Sequence, residues 1–364
     1  MKLKKLFAGI VAVAMMATMA IPVFATETDA AASKKSVNGG NPVTSVTLKK
    51  VYDVKSGTAP ADEVTITLAP SRTAPTNSSA TSNPMPEKTE YKATISSVST
   101  KTSFDFDTID LTQFGFSAPG HYYYTLTETA SDKQGVEYQT DVVYMTVSVT
   151  NKIDADGNIA DGEDKFEYVV ALRKNGEKIE DSEAFTNEYN AGSMEVTKVV
   201  RGNGSDRDKT FYFKATFTKT NGKTVSGITV KAPNAAEAAA LNLDFGEGDT
   251  AVYYFSEGHK QTTTFANIPY DVNVKIEELQ EKEGAAVVNN TLGDYTVTYT
   301  NENKTFGKGN GKVQGTVATE IENKSIVNVD TGVILDNAPY IALLTIVAAG
   351  AVVMIMKKRR NYED

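Results

Sequence analysis

The sequence contains no cysteine and no tryptophan, and only two histidines, His121 and His259. Without cysteine the chain can form neither disulfides nor a thiolate nucleophile, and it cannot build a cysteine-ligated metal site. It also lacks a serine-nucleophile elbow, a phosphate-binding Gly-Lys loop and an HExxH motif. These absences exclude most common hydrolase and metalloenzyme chemistry, so the sequence predicts neither a cofactor nor a metal ion.

The charge balance is acidic, with 37 lysines and arginines against 46 aspartates and glutamates. A net charge of −9 argues against nucleic acid and anionic membrane surfaces as partners, because both repel an acidic protein. One acidic run, residues 154–158 (DADGN), faintly resembles a calcium-binding loop but lacks the glutamate expected at the twelfth loop position. Its Asp-Gly-Asn sequence between two β-rich runs predicts a hairpin turn instead.

The N-terminus has the pattern of an export signal. A basic start (MKLKK) is followed by an apolar run over residues 6–24, and small residues stand at Val23 and Ala25. This order matches the basic, apolar and cleavage regions of a signal peptide, with cleavage after Ala25. A retained transmembrane helix is the alternative, but the run is short and ends at a good cleavage site. Residues 1–25 are therefore predicted to be removed, and residues 26–43 to form an N-terminal segment.

The C-terminus carries a second hydrophobic run. Residues 340–356 are apolar or small throughout, and four cations follow at once at positions 357–360 (KKRR). A helix of this length spans about 26 Å at 1.5 Å per residue, just enough for the hydrocarbon core of a membrane. The cations would stay on the cytoplasmic side and stop export there. The sequence therefore predicts a C-terminal membrane anchor.

The interior of the chain reads as β structure. Short β-branched and aromatic runs with a period of two are separated by Gly, Asp, Asn and Pro, which is the pattern of antiparallel sheets and favours β-sandwiches. The pattern restarts near residues 189–193, which predicts one sandwich over residues 44–189 and a second over residues 190–324. The single helical interruption is predicted at residues 235–241, which are rich in Ala and Glu.

Each half repeats the order Lys, Glu, Asn. A lysine-bearing strand opens each half (VTLKKV at 46–51, MEVTKV at 194–199), and an asparagine closes each (AFTN at 184–187, TEIEN at 319–323). A glutamate ends a central strand in each half, at Glu128 and Glu277. In the first half either Lys49 or Lys50 could be the relevant lysine, and alternation with the neighbouring Val46 and Leu48 places Lys50 on the inward face.

A pentapeptide upstream of the C-terminal span resembles a sortase sorting signal of the LPxTG type. It consists of Asn328, Val329, Asp330, Thr331 and Gly332, with Asn in place of Leu and Val in place of Pro. The resemblance implies that a sortase cysteine attacks the Thr331 carbonyl and that the chain from Gly332 onward is discarded. Pentapeptide, apolar span and basic tail together identify residues 325–364 as a sorting signal rather than a plain anchor.

The chain is similar to the Gram-positive backbone pilins built from pilin isopeptide linkage domains. The likeness rests on residues 119–124 (PGHYYY) leading into Glu128, on residues 185–187 (FTN) and on residues 202–207 (GNGSDR). It implies that each domain is an immunoglobulin-like sandwich in which a first-strand lysine forms an amide with a last-strand asparagine, assisted by a glutamate. The implied sets are listed by domain: Lys50, Glu128 and Asn187; Lys198, Glu277 and Asn323.

The resemblance also implies a place in a polymer. The lysine that receives the next subunit is expected at Lys178, with Lys174 as the fallback, in a polar stretch (RKNGEKI, 173–179) that reads as an exposed loop. The resulting hypothesis is a pilus shaft subunit at the cell surface, with sortase, copies of itself and peptidoglycan as partners. It is a sortase substrate and not an enzyme. A monomeric wall-anchored adhesin or an ancillary pilin that binds a host ligand is the alternative, and an enzyme using two glutamates is a third reading.

Overall fold

A computed structural model describes residues 37–154, 156–162 and 165–327, which fold into two tandem β-sandwiches. The predicted all-β class is confirmed. The described ranges contain no helix long and apolar enough to cross a membrane. The predicted signal peptide and the C-terminal apolar span lie outside the described residues. Within the described ranges the helical segments are three short 3-10 turns: Val37–Gly40, Leu111–Phe114 and Asp181–Glu183.

The first sandwich packs a six-stranded sheet against a four-stranded sheet, with a two-stranded ribbon beside them. The ribbon is β1 (Ser45–Val46) with β6 (Ile109–Asp110). The six-stranded sheet has the order β11 (Glu177–Ile179), β10 (Phe166–Lys174), β9 (Val143–Asn151), β7 (Gly120–Thr129), β3 (Asp62–Pro70), β4 (Glu90–Ile95). The four-stranded sheet has the order β5 (Thr102–Asp105), β2 (Lys49–Val54), β12 (Phe185–Tyr189), β8 (Val136–Glu137).

The second sandwich packs a seven-stranded sheet against a five-stranded sheet. The seven-stranded sheet has the order β16 (Ala239–Ala240), β15 (Thr229–Lys231), β18 (Thr262–Pro269), β13 (Ala191–Arg201), β24 (Thr316–Ser325), β21 (Tyr295–Thr300), β20 (Thr291–Leu292). The five-stranded sheet has the order β17 (Thr250–Glu257), β14 (Phe211–Thr218), β19 (Asn273–Leu279), β22 (Asn303–Phe306), β23 (Lys312–Val313).

Alternating side chains build the two cores. In β7, Tyr122, Tyr124 and Leu126 are fully buried while the residues between them are partly or fully exposed. β-branched and aromatic residues favour this pleated, half-buried arrangement, because their side chains pack well against neighbours on one face. Each sandwich has its own apolar cluster, the first extending to Ala191 and the second beginning at Met194.

In both sandwiches the first long strand lies parallel to the last strand. β2 pairs with β12, and Lys50 stands opposite Phe185 in that register. β13 pairs with β24, and Lys198 stands opposite Ile321. A parallel neighbour cannot come from a hairpin, so each sandwich brings the beginning and the end of its own segment side by side.

Short contacts tie the two sandwiches together. The side-chain amide of Asn267 accepts a hydrogen bond from the N–H of Thr58 at 2.7 Å and donates one to the Thr58 carbonyl at 3.0 Å. Gln134 donates from its side chain to the Tyr270 carbonyl at 2.8 Å. Gly57 lies so close that a Cβ there would come within 2.2 Å of the Asn267 side-chain oxygen, and its φ of +77° favours glycine.

Two local predictions were wrong. Residues 235–241 form a bend and the short strand β16 instead of a helix, because β16 pairs with β15 at the sheet edge. Tertiary pairing overrides a helix propensity that is spread over only a few alanines. The stretch 173–179 is a tight hairpin and not a loop: Asn175 and Gly176 both have positive φ, and β10 pairs with β11 across them.

Candidate functional site: a lysine, a carboxyl and a carboxamide in each core

The parallel strands place a lysine and an asparagine together in the first core. Phe185 on β12 is the register partner of Lys50, and Asn187 lies two residues beyond Phe185 on the same strand. Because side chains alternate between the two faces of a strand, those of Lys50 and Asn187 point to the same face of the sheet. Glu128, near the end of β7, reaches them from the facing sheet. The side chains of Lys50 and Glu128 are fully buried, as is Asn187. Three polar groups from three strands therefore meet inside an apolar core.

In the first core the carboxyl of Glu128 bridges the other two groups. The Lys50 Nζ lies 2.5 Å from Glu128 Oε2, and the Asn187 Nδ2 donates to Glu128 Oε1 at 2.8 Å. The Asn187 side-chain oxygen accepts from the main-chain N–H of Gln139 at 2.9 Å. All three side chains of this buried set thus have hydrogen-bond partners, which offsets much of the cost of burying them.

The second core repeats the arrangement. The Lys198 Nζ lies 2.8 Å from Glu278 Oε2, and the Asn323 Nδ2 donates to Glu278 Oε1 at 2.7 Å. Asn323 again lies two residues beyond the register partner of the lysine, which is Ile321. The Lys198 Nζ lies 4.4 Å from the centre of the Phe211 ring, so an aromatic face covers the amine. The two cores use the same residue types in the same places.

Burial changes the protonation of these groups. It lowers the pKa of the Lys50 ammonium to about 8, and it does the same for Lys198, in each case against the opposing charge of the nearby glutamate. Burial also raises the pKa of the Glu128 and Glu278 carboxyls. Both shifts favour a neutral amine beside a neutral acid, because an apolar surrounding penalises charge. A neutral amine is a nucleophile, and a protonated carboxyl can donate a proton.

The prediction that Glu277 serves the second site is wrong. Val274 and Ile276 of β19 face the core, so the next inward position on an alternating strand is 278. The carboxyl of Glu277 points outward and lies 3.0 Å from the Lys214 Nζ and 2.9 Å from the Lys275 Nζ. The acid between Lys198 and Asn323 is therefore Glu278.

The glutamate in each core faces the nitrogen of the asparagine side-chain amide. Its carboxyl accepts a hydrogen bond from the asparagine Nδ2 in both cores. The orientation of the Asn187 amide is set by Gln139, because a main-chain N–H can only donate and must meet the oxygen. The acid thus lies beside the nitrogen of the side-chain amide.

A second buried carboxyl lies near each lysine, and sequence reasoning missed both. Asp62 accepts from the hydroxyls of Tyr52 at 2.5 Å and Tyr138 at 2.8 Å. Glu257 is fully buried and accepts from the Thr263 N–H at 2.8 Å, and burial raises its pKa to about 8. A neutral Glu257 avoids a further negative charge beside Lys198. Alternation along their strands could have found both acids, since each is in phase with core residues.

The remaining predicted residues lie elsewhere. Lys49 is outside the core and pairs with Asp105. In the hairpin of β10 and β11, Lys178 stands opposite Arg173, and Lys174 stands opposite Glu177. The sorting pentapeptide, including Thr331, lies outside the described residues. No group of three or more His, Asp or Glu side chains in the described ranges is arranged to hold a metal ion.

A different family model matches each sandwich. Residues 46–190 match the family described as Spy0128-like isopeptide containing domain, and residues 192–328 match a domain of unknown function, DUF7601. The chain is 27% identical over 298 residues to a pilin of Streptococcus pyogenes serotype M1, covering 77% of this chain and 78% of that protein.

Solved structures agree on the fold. A major pilin from Streptococcus pyogenes superposes with a TM-score of 0.50 at 19% identity, covering 78% of this chain and 98% of that one. The major pilin T3.2 from serotype GAS13637 gives a TM-score of 0.51 at 17% identity, with coverages of 78% and 99%. The chain is thus similar to a Streptococcus pyogenes pilin over about three quarters of its length, and residues 46–190 match the Spy0128-like isopeptide containing domain.

Proposed function

We propose that this protein is the structural shaft subunit of a cell-surface pilus and that each of its domains closes on itself through a lysine–asparagine amide. The observation that carries the proposal is the hydrogen-bonded chain of amine, carboxyl and carboxamide that occurs once in each apolar core. The homology to a pilin supports the role in a pilus. The proposed units are residues 44–189 and 190–324.

The proposed reaction needs no cofactor. The neutral lysine Nζ attacks the asparagine Cγ, the bond from Cγ to Nδ2 breaks, and ammonia leaves. The glutamate takes a proton from the attacking amine and delivers one to the leaving nitrogen, beside which it already lies. One amide replaces another, so atoms and charge balance. The reaction occurs once in each domain, and the protein is not a turnover enzyme.

Intact mass tests this proposal. Folded protein spanning residues 26–332 is expected to weigh two ammonia masses less than its sequence, one for each domain. Digestion should give one branched peptide that joins the Lys50 and Asn187 segments, and another that joins Lys198 and Asn323. A folded protein whose mass equals the unmodified sequence contradicts the proposal.

Polymerisation by a sortase requires an accessible acceptor amine, and the hairpin of β10 and β11 offers Lys178. Its side chain is partly exposed, and its ammonium takes part in no hydrogen bond or ion pair within the described ranges. Lys174 instead donates to the Glu183 carbonyl at 2.7 Å and to the Ala184 carbonyl at 3.2 Å. We propose that Lys178 receives the Thr331 acyl group of the next subunit, and that the last subunit is joined to peptidoglycan.

Lys178→Ala is expected to remove the high-molecular-weight ladder from cell-wall extracts and leave anchored monomer, because the acceptor amine is lost. Lys174→Ala is the matched control, since it removes a neighbouring lysine whose amine is already engaged, and its ladder should persist. Immunoblots of wall extracts from the native host measure both. A ladder in the Lys178→Ala strain contradicts the assignment. Wild-type cells with only monomer would favour a wall-anchored adhesin instead.

A further inference from the structure

The two sites differ at the oxygen of the asparagine side chain. In the first site, the Asn187 Oδ1 accepts the main-chain N–H of Gln139 at 2.9 Å. In the second, the Asn323 Oδ1 is buried and accepts no hydrogen bond from the described part of the chain. Lysine, glutamate and asparagine are otherwise arranged alike in both. The first site therefore contains one more donor, and this donor points at the group under attack.

The side chain of Gln139 holds its own main chain in place. Its Nε2 donates to the Ala184 carbonyl at 3.0 Å, and its Oε1 accepts from the Thr186 N–H at 3.0 Å. These two bonds take the place of the main-chain hydrogen bonds that a neighbouring strand would make with the start of β12. Just before Gln139, β8 pairs with β12 directly, Glu137 standing opposite Glu188. The Gln139 N–H is thus fixed beside Asn187 before any reaction begins.

Such a donor has a defined chemical use. When the Lys50 Nζ attacks Cγ, the electron pair of the carbonyl moves onto Oδ1, which becomes an oxyanion. A preorganised N–H at 2.7–3.1 Å from that oxygen stabilises the charge without reorganising, and losing one such donor slows acyl-transfer reactions by a factor of about 100 to 1,000. Glu128 cannot replace it, because its carboxyl lies on the nitrogen side of the same amide.

We propose that the main-chain N–H of Gln139 is the oxyanion donor for the first cross-link, and that the first domain consequently closes faster than the second. This inference rests on the proposed amide formation. The Lys50 Nζ forms a bond to the Asn187 Cγ while the negative charge on Oδ1 is held by Gln139. The intermediate collapses as the bond to Nδ2 breaks, and ammonia leaves with a proton delivered through Glu128. In the second domain the same steps occur, but no donor in the described part of the chain hydrogen-bonds the Asn323 Oδ1.

The order of closure can be measured on the full chain during cell-free synthesis. Samples are quenched in acid and denaturant at intervals and digested, and the two branched peptides are quantified against their open forms. The first-domain bond is expected to form about 100-fold faster than the second-domain bond. A second-domain bond that forms as fast as the first, or faster, overturns the proposal.

A single-atom change tests the donor itself. Suppressor-tRNA incorporation of the α-hydroxy analogue of glutamine at position 139 replaces the N–H by an ester oxygen and keeps the side chain. It is expected to slow the first bond about 100-fold and leave the second unchanged in the same molecules. The matched control is an ester at Thr140, whose N–H makes no hydrogen bond within the described ranges, and both rates should stay at the native value. An ester at 139 without effect overturns the proposal.

The outcomes also separate this inference from the proposed function. If the native chain forms neither branched peptide, amide formation itself is refuted. If the native chain forms both, and the ester at 139 leaves the first rate unchanged, only the role of Gln139 is refuted. Trypsin resistance of the first domain at each time point reports that the ester variant has folded, so a slow bond cannot be mistaken for slow folding.

Discussion

A chain carrying Glu278→Ala is expected to lose one ammonia instead of two, because its second-domain amide does not form. Without this acid the Lys198 amine has no group to take its proton, and the Asn323 nitrogen has none to supply one. Glu277→Ala should lose both ammonias, since its carboxyl lies outside with Lys214 and Lys275. Intact mass of the two purified variants measures the difference, which is all or none for each bond.

Two further measurements protect this result from a folding artefact. Removing the acid takes away the hydrogen-bond partner of the buried Lys198 amine, which destabilises the second domain. Glu278→Gln keeps the volume and one of the two acceptor oxygens but cannot carry the proton, so it should also fail to close. The first-domain branched peptide in the same chain serves as an internal standard. A Glu278→Gln chain that loses both ammonias contradicts the proton-transfer role.

Asn187→Ala is expected to lower the free energy of unfolding of the first domain by about 5 kcal/mol, with a wide margin from strain. The amide between Lys50 and Asn187 closes a loop of well over a hundred residues, and closing such a loop removes conformational freedom from the unfolded chain. Guanidinium unfolding followed by a first-domain probe measures the change. Asn323→Ala is the reciprocal control, which should affect the second domain and leave the first unchanged.

A double-mutant cycle separates the covalent bond from the lost hydrogen bond of Asn187. In a Glu128→Ala background the amide cannot form, so Asn187→Ala there should cost only about 1–3 kcal/mol, which is the effect of the lost polar contact. An equal cost in both backgrounds would show that loop closure contributes nothing to stability. The loop-closure account depends on the difference between the two backgrounds.

Alternation along the strands predicts much of the fold and the choice of lysine in the first site, whose glutamate and asparagine were implied by the family resemblance. The period of two predicts an all-β chain, and it separates the inward Lys50 from the outward Lys49. The same rule, applied from Val274 and Ile276, indicates Glu278. The error came from ending the strand at Glu277, the first acid reached, instead of continuing the alternation by one more residue. In the 173–179 stretch, the Asn-Gly pair between two β-rich runs indicates a hairpin, which the charged character of the segment obscures.

Other features have no local signal. Gln139 lies in an irregular segment after β8, and its main-chain N–H reaches Asn187 only because β8 pairs with β12 in the folded sheet. Every residue except proline has a main-chain N–H, so the residue type does not reveal which one acts as a donor. The failed helix at residues 235–241 has the same cause, since pairing of β16 with β15 joins segments whose association depends on the whole sandwich. The pairing of strands that are distant along the chain cannot be predicted from the local pattern of a single sequence.

The joint between the two sandwiches bears on how the proposed fibre would bend. Asn190 is the single residue between β12 and β13. Across this joint, the Asn267 side-chain amide hydrogen-bonds both the N–H and the carbonyl of Thr58. Gly57 packs so closely against Asn267 that no side chain fits between the two domains at this position. We therefore expect each subunit to bend as one segment. In the proposed fibre, curvature would then be confined to the junctions between subunits, and the flexural rigidity would be set by how many junctions occur per unit length.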